Sequence, residues 1–190
     1  MAEDKNLETM DIEALIDAIG SESRRQRQGA AEALNKAASD DVSELVPYVK
    51  DIIAALDVPE GKTRWNLIEV LTKMIPCEVK QIDKALPDIE NSIYDDENGM
   101  ARLAAFVFLC TYGAESKAHS KKVWPIIHES FQVCHGDPEF NDMLNALASF
   151  AGGKLDQTVK DELKELLKFD AEANKGIVAK KAAKIIESLS

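Results

Sequence analysis

The stretch Ala101 to Tyr112 reads ARLAAFVFLCTY and carries one charge, Arg102, in twelve residues. A helix that is apolar nearly all round is buried on several sides. The apolar segments before and after it are amphipathic, so this stretch predicts the middle of a stack of helices.

Working outward, the same pattern recurs. Arg27–Leu34 (RQGAAEAL), Arg64–Leu71 (RWNLIEVL), Arg102–Leu109 (RLAAFVFL), Phe140–Leu147 (FNDMLNAL) and Val178–Ile185 (VAKKAAKI) align in register. Their closing residues, Leu34, Leu71, Leu109, Leu147 and Ile185, are 37, 38, 38 and 38 residues apart. Three residues earlier stand Ala31, Ile68, Phe106, Leu144 and Ala182, all apolar. Four residues later stand Ala38, Ile75, Gly113, Ala151 and Leu189, with no polar member. Offsets of three and four mark one face of a helix. A constant period of this length is the mark of a repeat array.

A second apolar segment precedes each of these. Pro47, Pro87 and Pro125 share a position in it, and a proline there either marks a first turn or bends the helix; the recurrence predicts a common curvature device. Turn chemistry separates the segments at 58–61 (VPEG), 95–99 (DDENG) and 135–138 (HGDP). Ser23 with Gln26, Asp41 with Glu44, and Asp137 before Pro138 have helix-start spacing. No sustained period-two alternation predicts a strand. The expectation is an all-α single domain over 1–190, with two-helix units at about 7–39, 42–76, 79–113, 117–152 and 155–189. Such a unit cannot bury its own apolar face, and stacking its neighbours does. Lys181 and Lys184 stand where unit two has Leu67 and Val70, which predicts a polar cap that ends the stack.

The mid-helix proline, the turn acid and the arginine that opens the second helix resemble the HEAT repeat family, close kin of armadillo repeats. The matching residues are Pro47 with Asp57 and Arg64, and Pro87 with Asp96 and Arg102. Unit one keeps Arg27 without the proline; unit four keeps Pro125 and Asp137 but has Phe140 for arginine; unit five keeps only Asp170. The resemblance implies a right-handed α-solenoid of about five repeats whose second helices line the concave face. It also implies that Arg27, Arg64 and Arg102 tie one repeat to the next, with a ligand-binding arginine ladder as the alternative. It is silent on function, because one fold hosts many.

Bulk composition narrows the choice. With 45% hydrophobic residues among 190, the chain has enough apolar material for a core. A net charge of -11 opposes nucleic acid and anionic membrane surfaces. The acidic opening MAEDKNLETM is no signal peptide, and no apolar run approaches the ~20 residues of a membrane span. Three well-separated cysteines, Cys77, Cys110 and Cys134, in apolar surroundings read as buried, reduced thiols. A cytoplasmic protein is expected.

On a wheel with Leu34, Ala31 and Ala38 inward, Gln28, Glu32, Asn35 and Lys36 point away. The matching sets are Trp65, Glu69, Thr72 and Lys73; Leu103, Val107, Cys110 and Thr111; and Asn141, Asn145 and Ala148. An apolar centre of Trp65, Leu103 and Val107 with a rim of Glu32, Glu69, Lys36 and Lys73 has the make-up of an interface. The expected partner-binding set is therefore Trp65, Leu103, Val107, Gln28, Glu32, Glu69, Asn141 and Asn145. The alternative is that Trp65 and Leu103 fold over their neighbours as core.

Catalytic readings find less support. HEAT-like deoxyhypusine hydroxylases bind iron through several His-Glu pairs, whereas His128-Glu129 is a single pair. Cys134, His135 and His128 lack the paired spacing of a zinc site. Trp65 and Glu69 could imitate a HEAT-like alkylpurine glycosylase, but the charge opposes DNA. A phycobilin-lyase-like pigment carrier is neither supported nor opposed. No P-loop, GxSxG or GxGxxG is present. The reading is a non-catalytic protein- or peptide-binding scaffold, without metal or cofactor, of unassigned oligomeric state; a HEAT-type enzyme or small-molecule binder is the alternative.

Overall fold

A computed structural model describes residues 10–173 and 176–189. The first residues of the opening repeat, 7–9, lie outside the described residues. Among those described there are helices, 3-10 turns and loops, and no strand. The chain divides into two compact units, Met1–Ala104 and Ala105–Ser190.

The first unit runs α1 (Ile12–Ile19), α2 (Arg24–Asp41), α3 (Val49–Ala54), α4 (Gly61–Ile82) and α5 (Leu86–Ile93); α6 (Gly99–Ala114) carries the boundary. α2 packs on α1 and α4, and α4 also packs on α3. The second unit continues with α7 (Lys117–Val133), α8 (Phe140–Ala151), α9 (Gln157–Ala173) and α10 (Ile177–Ser188). There α9 packs on α7, and α10 packs on α8 and α9.

Local chemistry sets the helix ends. Asp11 accepts from the Ala14 N–H at 2.8 Å, and Ser116 from His119 N–H at 3.1 Å, each relieving an orphan donor of the first turn. Ser23 meets Gln26 N–H at 3.5 Å, as its spacing predicts. Asp41 caps through Ser43 rather than Glu44, at 2.9 Å, because a tighter 3-10 segment, Val42–Tyr48, follows it. Asp137 is not the cap of α8. Gly136 (φ 96) and Pro138 first complete a turn, and the helix begins only after Glu139, which makes no side-chain cap.

The three prolines do not act alike. Pro47 lies in a 3-10 segment that feeds α3, Pro87 sits in the first turn of α5, and Pro125 is inside continuous α7. The uniform curvature device expected from their register is thus three local solutions. A fourth proline, Pro76, precedes a break in α4 at Glu78, whose φ of -146° and ψ of 46° are non-helical.

The core follows the aligned columns. Leu34, Leu71, Leu109 and Leu147 are fully buried, and Ile185 nearly so. The helical wheel places Cys110 outward and its apolar setting places it inside; it is buried, because α6 is enclosed around most of its circumference, and burial pushes its thiol pKa well up. Cys134 is also buried, but Cys77 is exposed, correcting the expectation of three buried thiols. It follows exposed Pro76 where α4 runs out to its break. At the C-terminal end Lys184 is exposed and Lys181 half-buried, whereas Leu67 and Val70 are fully buried, as a polar cap requires.

Candidate binding groove

Two members of the arginine column, Arg27 and Arg64, reach into the turn of the next repeat. The Arg27 guanidinium donates to the carbonyls of Ser21 and Glu22 at 2.8 and 2.9 Å in its own turn, and to Glu60 in the turn of the next repeat. Arg64 repeats the device with the Val58 carbonyl at 3.2 Å and with Asp95. Burial pushes the Glu60 carboxyl up, but hydrogen bonds from Arg27 and the backbone, with the charges of Arg27 and Arg24, outweigh it and hold the group below its ordinary range. Arg102 lies 3.8 Å from the exposed Asp96. In the second unit Phe140 occupies the arginine position, and His135 takes over: its Nε2 meets buried Asp170 at 2.9 Å while its ring packs on Phe140 with centroids 4.5 Å apart.

The second-helix face of the first unit opens into a groove of about 1310 Å³. Residues of α2 and α4 line it, together with Ile12 and Leu15 of α1 and with Glu44 and Tyr48. On α4, Lys62, Trp65, Asn66, Glu69 and Lys73 form one stripe at helical spacing. On α2, Glu32, Asn35 and Ser39 face it. Lys62 pairs with Glu32 at 2.7 Å. The Asn35 amide donates to Asn66 at 3.1 Å and to Glu69 at 2.5 Å. The Lys73 ammonium donates to the Asn35 carbonyl, its side-chain oxygen and Ser39, at 3.0, 2.6 and 2.8 Å.

Trp65 is half-buried, and its indole N–H donates to Glu69 at 2.7 Å. Glu69 is itself fixed by Asn35, so the ring is held in one orientation with part of its surface open to the groove. Holding an aromatic in place before a partner arrives lowers the ordering cost of binding.

Of the residues expected to bind, the groove brings together Glu32, Trp65 and Glu69. Gln28 and Leu103 are half-buried and do not line it. Val107, half-buried, and Asn141 and Asn145, both exposed, belong to the second unit. There the Lys73 device recurs: Lys181 donates to the Asn141 carbonyl and side chain at 3.2 and 2.8 Å and to Asn145 at 2.6 Å. Sequence reasoning missed Asn66, which is buried against α2 and donates to the Lys62 carbonyl at 2.9 Å. Its signal was a polar residue one step from the apolar column.

His128 packs edge-on to Trp124, with centroids 5.6 Å apart. Among the described residues no group of three or more His, Cys, Asp or Glu is arranged to hold a metal ion, and no helix is long and apolar enough to cross a membrane.

No family model matches the chain. It is 26% identical over 96 residues to protein unc-45 homolog B of Homo sapiens and 25% identical over the same length to that of Mus musculus. These matches cover 50% of this chain and 10% of the relative, so the chain matches about a tenth of the length of these curated relatives. Among solved structures, a designed armadillo repeat protein superposes with a TM-score of 0.74 at 15% identity, covering 94% of this chain and 82% of that one. Another, in complex with the peptide (KR)4, gives 0.77 at 14% identity with the same coverage. An engineered protein gives 0.76 at 16%, covering 94% and 78%.

Proposed function

We propose that this chain, a HEAT/armadillo-like α-solenoid, is a non-catalytic scaffold that holds a protein or peptide segment on the second-helix face of its first unit. The observation that carries this reading is Trp65: a large side chain left half open in a groove, with its only polar atom committed to Glu69. Large aromatics in fixed positions are the usual anchors of interfaces. Glu32 and Glu69 flank the anchor, Gln28 continues α2 beyond the groove, and Leu103 is the contact proposed on α6. Val107, Asn141 and Asn145 are the contacts proposed for the second unit. Peptide-bound and peptide-recognition designs of the same fold support the reading. Cys77, Cys110 and Cys134 form no disulfide among the described residues, which fits a reducing compartment, and we place the protein in the cytoplasm.

The test is affinity capture with the wild-type chain and with Trp65→Ala combined with Leu103→Ser. Both side chains are half-buried, so the variant is expected to keep its melting temperature within a few degrees while losing the main captured protein. Lys36→Ala, at an exposed rim position, is expected to weaken capture only slightly. A folded double variant that still captures the same protein removes the groove from consideration.

A further inference from the structure

Charge is distributed unevenly along the chain. Residues 1–104 hold 22 Asp and Glu against 12 Lys and Arg, a net charge of -10, whereas residues 105–190 hold 12 against 11, a net of -1. The groove lies in the acidic unit and shares its sign. Asp11, Glu32, Asp40, Glu44 and Glu69 line it, against Lys36 and Lys73, and of the five carboxylates Glu32 is paired with Lys62. Lys73 already donates to Asn35 and Ser39. Asp40 and Glu44 are exposed and have no ion pair or hydrogen bond among the described residues.

We infer that the segment this groove takes is basic: an extended peptide carrying several Lys or Arg side chains. The inference rests on the binding function proposed above and adds the partner's chemistry. A field of one sign over a concave surface raises the local concentration of oppositely charged segments and speeds their encounter. Trp65 adds a short-range term. The Glu69 carboxylate sits on its indole N–H, which makes the open ring face more electron-rich and a better platform for an ammonium or guanidinium group. An acidic segment would meet uncompensated carboxylates at Asp40 and Glu44. A second copy of this unit would bring the same net charge of -10 against it. Neither is a good occupant.

The experiment uses the full chain and three labelled peptides of equal length, alternating Lys–Ser, Gln–Ser and Glu–Ser, with binding read by fluorescence anisotropy. Lys–Ser is expected to bind at least tenfold more tightly than Gln–Ser, and Glu–Ser not to bind. Raising the salt from about 50 to about 200 mM should weaken the Lys–Ser complex, as screening requires. Asp40→Asn with Glu44→Gln, at exposed sites that leave folding intact, is expected to weaken it by about tenfold. Asp51→Asn with Glu90→Gln makes the same charge change away from the groove and should leave it within about twofold. Equal binding of Lys–Ser and Gln–Ser, binding of none of the three, or equal losses from the two variants overturns the inference. If Trp65-dependent capture of a protein survives that result, the basic class alone has failed and the scaffold function stands.

Discussion

The two units are built from the same repeat and held together by different means. In the first, the core is aliphatic: its aromatics are Tyr48, Trp65 and Tyr94, none of them buried. Its turns are clipped by Arg27–Glu60 and Arg64–Asp95. The second packs buried rings. Phe131 tilts against Phe106 and Phe140 with centroids 6.3 and 4.7 Å apart, Tyr112 stacks on His119 at 4.4 Å, and Trp124 stacks on Phe150 at 6.2 Å. Where its arginine is missing, an aromatic and a histidine fill the place. The difference teaches that the repeat fixes which positions face inward, while the filling is free to vary. In the first unit polar groups on the second-helix face line a groove.

The largest expected effect lies in the aromatic core. Phe131→Ala should cost about 3–5 kcal/mol in urea unfolding, as a large buried truncation does, against about 2–5 for Leu71→Ala in the aliphatic unit. Ile185→Ala, in the cap, should cost less than either. A loss below about 1 kcal/mol at Phe131 would break the contrast.

Next comes the clip of the first unit. The Glu60 side chain is 5% exposed, so Arg27→Gln leaves a carboxylate stranded; breaking a buried pair costs about 3–5 kcal/mol, and the partial exposure of Arg27 lowers the expectation to about 2–4. Because the folded Glu60 pKa is depressed, the stabilisation is fully present above the unfolded value and is lost as pH falls through the folded one. The difference between wild type and Arg27→Gln should therefore be full at pH 7 and close below the ordinary glutamate range. A pH-independent difference would mean that the arginine acts through packing alone.

Close backbone approach in the second unit gives a smaller effect. A Cβ on Gly153 would meet Ala114 Cβ, Cα and O at 2.5, 2.6 and 2.7 Å, where Lys154 N–H also bonds the Ala114 carbonyl at 2.8 Å. Gly153→Ala should lower stability by about 1–3 kcal/mol, measured by the same unfolding curves. The smallest effect separates the two lysine straps. Lys73→Met, at a half-buried site, should cost about 1 kcal/mol, and Lys181→Met, whose bonds are exposed, about half that or less. Equal losses would show that exposure does not set the worth of the strap.

The sequence alone determined the all-helical repeat and its inward columns, because burial imposes a helical period that five segments share from Leu34 to Ile185. It also indicated the polar cap at Lys181 and Lys184, since charge cannot be buried without a partner, whereas the role of Arg27 and Arg64 came from the family resemblance and their partners Glu60 and Asp95 from the structure. Helix starts were less legible. Whether Asp41 or Asp137 caps a helix depends on the turn that follows, and the 3-10 segment at Val42 and the left-handed Gly136 decided that. Only the tertiary structure decided that Cys110 is core and Cys77 surface, because a wheel describes one helix and not what encloses it. The groove belongs to the same class. Asn35 meets Asn66, Glu69 and Lys73 across two helices at separations of 31 to 38 residues, and no local pattern records which polar atoms meet at that distance.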